Sequence, residues 1–315
     1  MAGTTRDVTE QKETERRLRD GQEQLDFALT AADLGQWALN LSDHTASRTL
    51  RHDQIFGYDT LLPEWTYEMF LQHVVPADRA AVDADFQKSL VTGSAWAVEC
   101  RIRRADGAVR QIWTKGLVQR DAGGRAERML GIVGDFTEQR QADERHAFQI
   151  RLADTLRPLS DPIVVQAEAS RVLGEHLRAN RVVYFEIRDE EYVIERDYAV
   201  DVQTLVGRYP VASFGPAELD ALLNGRTVIE ADATTEPNRS PEERAAFASI
   251  QVRGHVDVPL VKGGRFVAGM TVQLSAPRDW TQQEVALIED TAERTWAAVE
   301  RVRAEAALRQ SEERL

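Results

Sequence analysis

The chain has 315 residues, 43% of them hydrophobic and 29% charged, which is enough length for two ordinary domains and the composition of a globular protein. A net charge of −13 argues against a nucleic-acid-binding face, and the single cysteine, Cys100, excludes an intramolecular disulfide and any cysteine-rich metal site. No apolar run approaches the ~20 residues of a membrane span, the N-terminus is charged, and cysteine use fits a reducing compartment, so a cytoplasmic location is expected.

Residues 9 to about 31 read as one polar helix with a narrow apolar stripe at Leu18, Leu25 and Leu29. A stripe that thin suits a helix–helix seam better than a large core. The first domain follows. Gly35 to Leu41 alternates apolar and polar residues, and Thr45 to Leu50 supplies a hairpin partner. Short helices are expected at 54–56 and 66–72, and Pro76 opens a longer one to about Leu90. Three strands then close the domain, at 95–104, 109–119 and 128–134, with Asp106-Gly107 and Gly123-Gly124 at the turns. Val98, Cys100 and Ile102 share one face of the first of these strands, and Glu99, Arg101 and Arg103 the other. The sheet is therefore expected to be apolar on one side and wet on the other.

The stretch Gly131-Ile-Val-Gly-Asp-Phe-Thr-Glu-Gln-Arg140 hands a strand to a helix, with Asp135 and Thr137 offering oxygens at the joint. The same writing occurs at Gly3 to Lys12, where Asp7 and Thr9 hold the equivalent places. A second echo links Leu18 to Leu25 with Leu308 to Leu315. The chain thus reads as a segment of a longer modular protein, in which residues 1–30 end a preceding module.

A connector helix is expected over 141–157, with Phe148, Leu152 and Leu156 on one face, and Asp161-Pro162 starts the next helix. In the second domain, 181–187 and 192–198 are strands, 217–223 a helix, and 227–232 a strand. Ser240-Pro-Glu-Glu243 and Thr281-Gln-Gln-Glu284 are capping boxes, and 256–262 with 266–274 form a hairpin. Asn238 and Arg239 read first as a polar loop, with pocket lining the alternative. The last helix is expected to leave its domain beyond Trp296, where Ala298, Ala304, Ala306 and Ala307 permit close approach of another helix. The fold class is α+β: two domains, each a mainly antiparallel sheet with flanking helices, at 31–140 and 161–297, with linkers at 141–160 and 298–315.

Residues 26–140 resemble a PAS domain of the subclass common in bacterial sensor kinases. The resemblance rests on Trp37, Ile55-Phe-Gly-Tyr58, Val75-Pro-Ala-Asp-Arg79, the run Glu99 to Arg110 with Asp106-Gly107, and Gly134-Asp-Phe-Thr137. Val75 and Ala77 depart from the family's usual His and Asp at those places. Residues 150–300 resemble a GAF domain through Val258-Pro-Leu-Val-Lys262, Gly269-Met-Thr-Val-Gln-Leu274 and Trp280 to Glu284. The stretch Ala292 to Arg301 is similar to GAF modules of PAS-rich sensor kinases, including the HWE type, which implies a histidine kinase or other output domain downstream.

The resemblances imply pockets. In the PAS unit the candidates are Trp37, Phe56, His73 and Cys100; in the GAF unit they are Tyr198, His255, Asp257 and Gln273. His255 and Asp257 alternate with Val256 and Val258 and so share one strand face, either the ligand side or the solvated one. A flavin photosensor of the PAS class would need an Asn-Cys-Arg motif, which is absent, and a covalent bilin or a thiol reductase in the GAF unit would need a cysteine there. Cys100 is expected to be a small core residue. His73, or His52 beside it, is read as a surface or capping histidine, with haem ligation the alternative. No cofactor and no metal is predicted, and no phosphate loop, nucleophile elbow or paired-histidine metal motif occurs. The expected function is a non-catalytic sensory segment that dimerises in parallel through its three linker helices, with Asp7, Thr9, Asp135 and Thr137 coupling sensor to helix. A ligand-free dimerisation scaffold and a haem-based gas sensor are the alternatives.

Overall fold

Apolar and polar residues alternate along the strands of one sheet, whereas the inner strands of the other are buried on both faces. In the computed structural model, which describes residues 9–237 and 239–314, the chain divides into two units between Asp143 and Glu144. Both units mix helices with antiparallel sheet.

Unit 1 begins with helix α1 (Thr9–Ala31). Its sheet takes strands β1 (Gly35–Asn40), β2 (Ala46–Arg48), β3 (Trp96–Arg103), β4 (Val109–Arg120) and β5 (Ala126–Asp135) in the order β2-β1-β5-β4-β3. Helices α2 (Leu50–Ile55), α3 (Tyr67–His73) and α4 (Pro76–Thr92) lie between β2 and β3 in sequence. One sheet face and these helices enclose an aromatic core of Trp37, Phe56, Trp65, Phe70, Phe86 and Trp96. Trp37 lies flat across β4 and β5, its Nε1 donating to Thr114 Oγ1 at 3.1 Å. A Cβ at Gly131 would sit 2.2 Å from Cζ2 of Trp37, and one at Gly116 would sit 2.6 Å from its Cη2. Those two positions therefore admit only glycine. On β3, Cys100 and Ile102 are buried and Glu99, Arg101 and Arg103 exposed, as the alternation requires.

Helix α5 (Thr137–Leu156) spans the boundary between the units. Unit 2 continues with α6 (Pro162–Leu177), started by Asp161 accepting from the amides of Ile163 and Val164. Its sheet contains β6 (Arg181–Arg188), β7 (Glu191–Ile194), β8 (Asp197–Ala199), β9 (Gly207–Pro210), β10 (Val228–Glu230), β11 (Gly254–Lys262) and β12 (Arg265–Leu274). The order is β10-β11-β12-β6-β7-β9, with β8 also on β6. Helices α7 (Pro216–Leu223), α8 (Pro241–Ser249) and α9 (Gln282–Glu312) complete the unit, and both predicted capping boxes are formed.

The sheet of unit 2 has two different faces. Val182, Tyr184, Val256, Val258, Met270 and Val272 join a core with α5, α6 and α9. The alternate residues, Val183, Phe185, Asp257, Thr271 and Gln273, face a chamber on the other side.

Two expectations about the linkers change here. Phe148, Leu152 and Leu156 are buried in the core of unit 2, so the second half of the connector is a structural helix of that unit. Helix α9 does not leave at Trp296 either. Val299 and Val302 are fully buried, and Arg303 holds Glu186 of β6 at 2.7 Å. The apolar stripe that resembled an intermolecular seam is satisfied within the chain.

Candidate ligand chamber and output joint

The chamber of unit 2 is assembled by register. On β11, His255 and Asp257 are two residues apart and share a face. Across β12 their partners are Gln273 and Thr271, and across β10 His255 faces Glu230. Asp257, Thr271 and Gln273 floor a cavity of about 230 Å³, and His255 and Glu230 lie beside it without lining it. Phe185, Tyr192, Tyr209 and Phe247 supply aromatic walls, and Glu218 enters from α7. Phe247 of α8 stacks on the His255 ring at 5.1 Å, and the Arg239 guanidinium lies 4.1 Å over Phe247.

Charge is concentrated at one end. Arg239 pairs with Glu218 and, through Nε at 2.9 Å, with Glu230. His255 Nε2 is 3.1 Å from Asp257 Oδ2, yet neither ring nitrogen makes an aligned hydrogen bond. His255 is fully enclosed, and Asp257, Glu218 and Arg239 are buried. Burial, reinforced by the Asp257 charge, pushes the Glu218 carboxyl up to about 8. Burial opposes a charge on His255, but the Asp257 carboxylate outweighs it and raises the imidazole. At the other end, Gln273 Oε1 accepts from Arg181 at 2.6 Å, and Arg181 also donates to the carbonyls of Gln203 and Ile250.

Of the four pocket residues expected in this unit, His255, Asp257 and Gln273 come together. Tyr198 does not: its ring packs on the opposite face, where a Cβ on Gly174 of α6 would meet it at 2.3 Å. Arg239 is buried and bridges Glu218 and Glu230 without lining the cavity, and Asn238 lies outside the described residues. Glu218, Glu230 and Thr271 went unrecognised. Their only sequence signal was a charged or hydroxyl residue inside an otherwise apolar element.

Unit 1 has a smaller, apolar cavity of about 40 Å³, lined by Trp37, Phe56, Trp65, Phe70, Trp96 and His52 among others. Cys100 and His73 do not line it. Cys100 is buried in the core, and burial pushes its thiol up to about 12. His52 is not a surface group, and His73 is partly buried at the end of α3. His52 is 4% exposed with Nδ1 on Asp53, and its ring packs on Phe56 and Trp65. His73 has both nitrogens engaged, Nδ1 with the Arg103 carbonyl at 2.7 Å and Nε2 with the Tyr58 hydroxyl at 3.1 Å. Haem does not fit these residues: His73 has no free nitrogen for iron, and the cavity is far below the roughly 300 Å³ at which organic ligands are held.

At the output joint, Asp135 Oδ1 accepts from the Thr137 amide at 2.9 Å and from its hydroxyl. The Thr137 hydroxyl oxygen in turn accepts from the amide of Gln111 in β4 at 2.8 Å, and the Phe136 amide donates to the Gln111 carbonyl at 3.0 Å. Thr137 is 4% exposed. The first turn of α5 is thereby pinned to the central sheet, a stronger tie than the helix cap expected from sequence. Of the upstream copy, Asp7 lies outside the described residues, as does the side chain of Thr9.

Sheet order, chamber and joint define a pair of sensory domains. A family model for the PAS fold matches residues 49–133, and one for the GAF domain matches residues 161–299. The chain therefore holds a PAS-fold domain followed by a GAF domain. It is 28% identical over 173 residues to a blue-light-activated histidine kinase of Brucella anthropi, covering 50% of this chain and 34% of that protein. It is 30% identical over 163 residues to the probable diguanylate cyclase DgcE of Escherichia coli K12, covering 50% of this chain and 14% of that protein. The chain thus spans about a third and about a seventh of the length of these relatives. Among solved structures, a sensory box histidine kinase/response regulator from Burkholderia thailandensis E264 is 26% identical, covering 43% of this chain and 98% of that one, with a TM-score of 0.35. No helix among the described residues is long and apolar enough to cross a membrane.

Proposed function

We propose that this chain is the non-catalytic sensory segment of a cytoplasmic signalling protein whose output domain is a histidine kinase. The GAF chamber receives the signal, and the PAS unit relays or gates it through the joint at Asp135 and Thr137. The observation that carries this reading is the Thr137–Gln111 lock. It makes the position of a helix depend on β4, an inner strand of a sensory sheet, which is what a two-state coupling element requires. The kinase output is supported by the Brucella anthropi relative, and the diguanylate cyclase relative supports a sensory segment that serves more than one output type. Blue light is not the proposed stimulus, because Cys100 is buried in β3 and the flavin-cysteine motif is absent. No bilin attachment is proposed, since residues 150–300 contain no cysteine.

In the full-length protein, the double substitution Asp135→Ala and Thr137→Ala should bring output activity to the level of a protein lacking the PAS unit, while unfolding of the GAF unit is unchanged. Output indistinguishable from the wild type would overturn the proposal.

Ligand-free assembly remains the second reading for the PAS unit alone, favoured by its 40 Å³ cavity, which has room for a few waters only.

A further inference from the structure

We propose that Glu218, His255 and Asp257 form a binding site for a first-row divalent metal ion at the charged end of the GAF chamber. One ligand atom from each residue lies within 4.8 Å of the others, and all three side chains are buried. Ligands about 2.0–2.2 Å from a common ion stand roughly 3–4 Å apart. Small carboxylate rotations therefore close the set.

Two observations beyond proximity point to an ion. The first is the imidazole. His255 is completely enclosed, both ring nitrogens lack an aligned hydrogen bond, and Nε2 faces Asp257. A buried histidine normally satisfies at least one nitrogen, because leaving a polar atom dry and unpaired costs about 1–3 kcal/mol. A metal–nitrogen bond at Nε2 removes that defect. The second is charge. Glu218, Glu230 and Asp257 bring three carboxylates against the one guanidinium of Arg239. A divalent cation would take the place of the protons that otherwise compensate this cluster of carboxylates.

Donor chemistry narrows the ion. One imidazole with two carboxylates suits zinc, iron or manganese better than the all-oxygen sets taken by calcium and magnesium. Glu230, paired with Arg239 and 4.0 Å from His255 Nε2, lies just outside the set and helps orient it. Because Glu218 and Asp257 also line the 230 Å³ cavity, the ion would offer open coordination positions to a small ligand there. This site needs neither a kinase output nor the joint, so it stands or falls separately from the proposed function.

The test uses the whole chain, stripped with a chelator, desalted and incubated with zinc. Retained metal should approach one equivalent per chain after gel filtration. His255→Ala and Asp257→Asn should each weaken zinc binding by at least about 10-fold, whereas His44→Ala, at an exposed histidine of unit 1, should leave it unchanged. Cobalt provides a measurement that needs no variant: pulsed electron paramagnetic resonance of the wild-type cobalt form should show coupling to one imidazole nitrogen. Retention below about a tenth of an equivalent, zinc affinity unchanged in folded His255→Ala, or a cobalt signal without imidazole coupling would each overturn the assignment.

Discussion

Four donors converge on the carboxylate of Asp53: Arg48 Nε at 2.7 Å, Arg48 Nη2 at 3.1 Å, His52 Nδ1 at 3.0 Å and the Leu62 amide at 2.7 Å. The side chains of Asp53 and Arg48 are almost entirely enclosed. Burial works against the charge, but the bonds from His52, Arg48 and Leu62 outweigh it and draw the carboxyl down to about 2. His52 is held neutral by the same burial, which leaves its N–H free to donate. The folded pKa is lower than the unfolded one. The stabilisation is therefore fully present above the ordinary carboxylate range and is lost as pH falls toward 2. A shift of this size corresponds to roughly 2 kcal/mol. Melting of the PAS unit should steepen its decline between about pH 4 and pH 2.5. Asp53→Asn should melt lower at pH 6 and show a flatter acid limb. Parallel acid limbs in the two proteins would show that Asp53 does not carry the effect. None of this was legible in sequence, where Asp53 is one acid among many. His255 and Asp257 were legible as a pair because alternation on a strand fixes a shared face. Their partners Glu218 and Arg239 arrive from α7 and a loop, which no local pattern connects to β11.

Among the elements, α9 shows why the fold was easier to read than its linkers. The Thr281–Glu284 capping box located the start of the helix, whose buried face runs through Val285, Ile288, Ala292, Thr295, Val299 and Val302. Periodicity identifies an apolar face without saying what covers it. Here α5 and α6 cover it through Val302, and the departure moves from Trp296 to about Arg303, where the ion pair with Glu186 closes the packed part. Glu186 is also held by Arg188 at 2.7 Å, so removing Arg303 does not leave a bare buried charge. Arg303→Ala should therefore cost only about 1 kcal/mol globally. Amide exchange at residues 299–306 should nevertheless accelerate while residues 285–295 stay protected. Uniform acceleration along α9 would mean that the helix docks as one block and that Glu186–Arg303 is not its terminal clamp. The joint at residue 137 has the same history: its strand-to-helix character was readable, whereas the Gln111 tie spans 26 residues and required the folded sheet.

For the molecule as a whole, burial of the α5 and α9 stripes removes two of the three helices expected to seam a homodimer and concentrates the proposal on α1. From Lys12 to Ala31, Leu29 alone is other than exposed, and Leu18 and Phe27 keep 70% and 75% of their surface open to solvent. A polar helix of 23 residues is marginal in water without tertiary packing, and its bare Leu18, Leu25 and Phe27 would each gain by burial. A second copy of α1 is the proposed cover, with the exposed last turns of α9 around Leu308 as a second point of contact. Ion pairs within α1, such as Arg19–Glu23, are exposed and add little. Sedimentation at tens of micromolar should therefore show a dimer for the native chain. The substitutions Leu18→Lys, Leu25→Lys and Phe27→Lys together should shift it to monomer, raising the dissociation constant by at least about 100-fold. Helicity should also fall by roughly the content of α1, because a helix that loses its partner loses its main stabilisation. Leu308→Lys alone should weaken the dimer less, since one exposed leucine contributes only about 1.5–3 kcal/mol on full burial. A native chain that sediments as a monomer would exclude the α1 seam outright. A dimer unmoved by the triple substitution would place the contact on another surface and leave α1 to serve as a spacer.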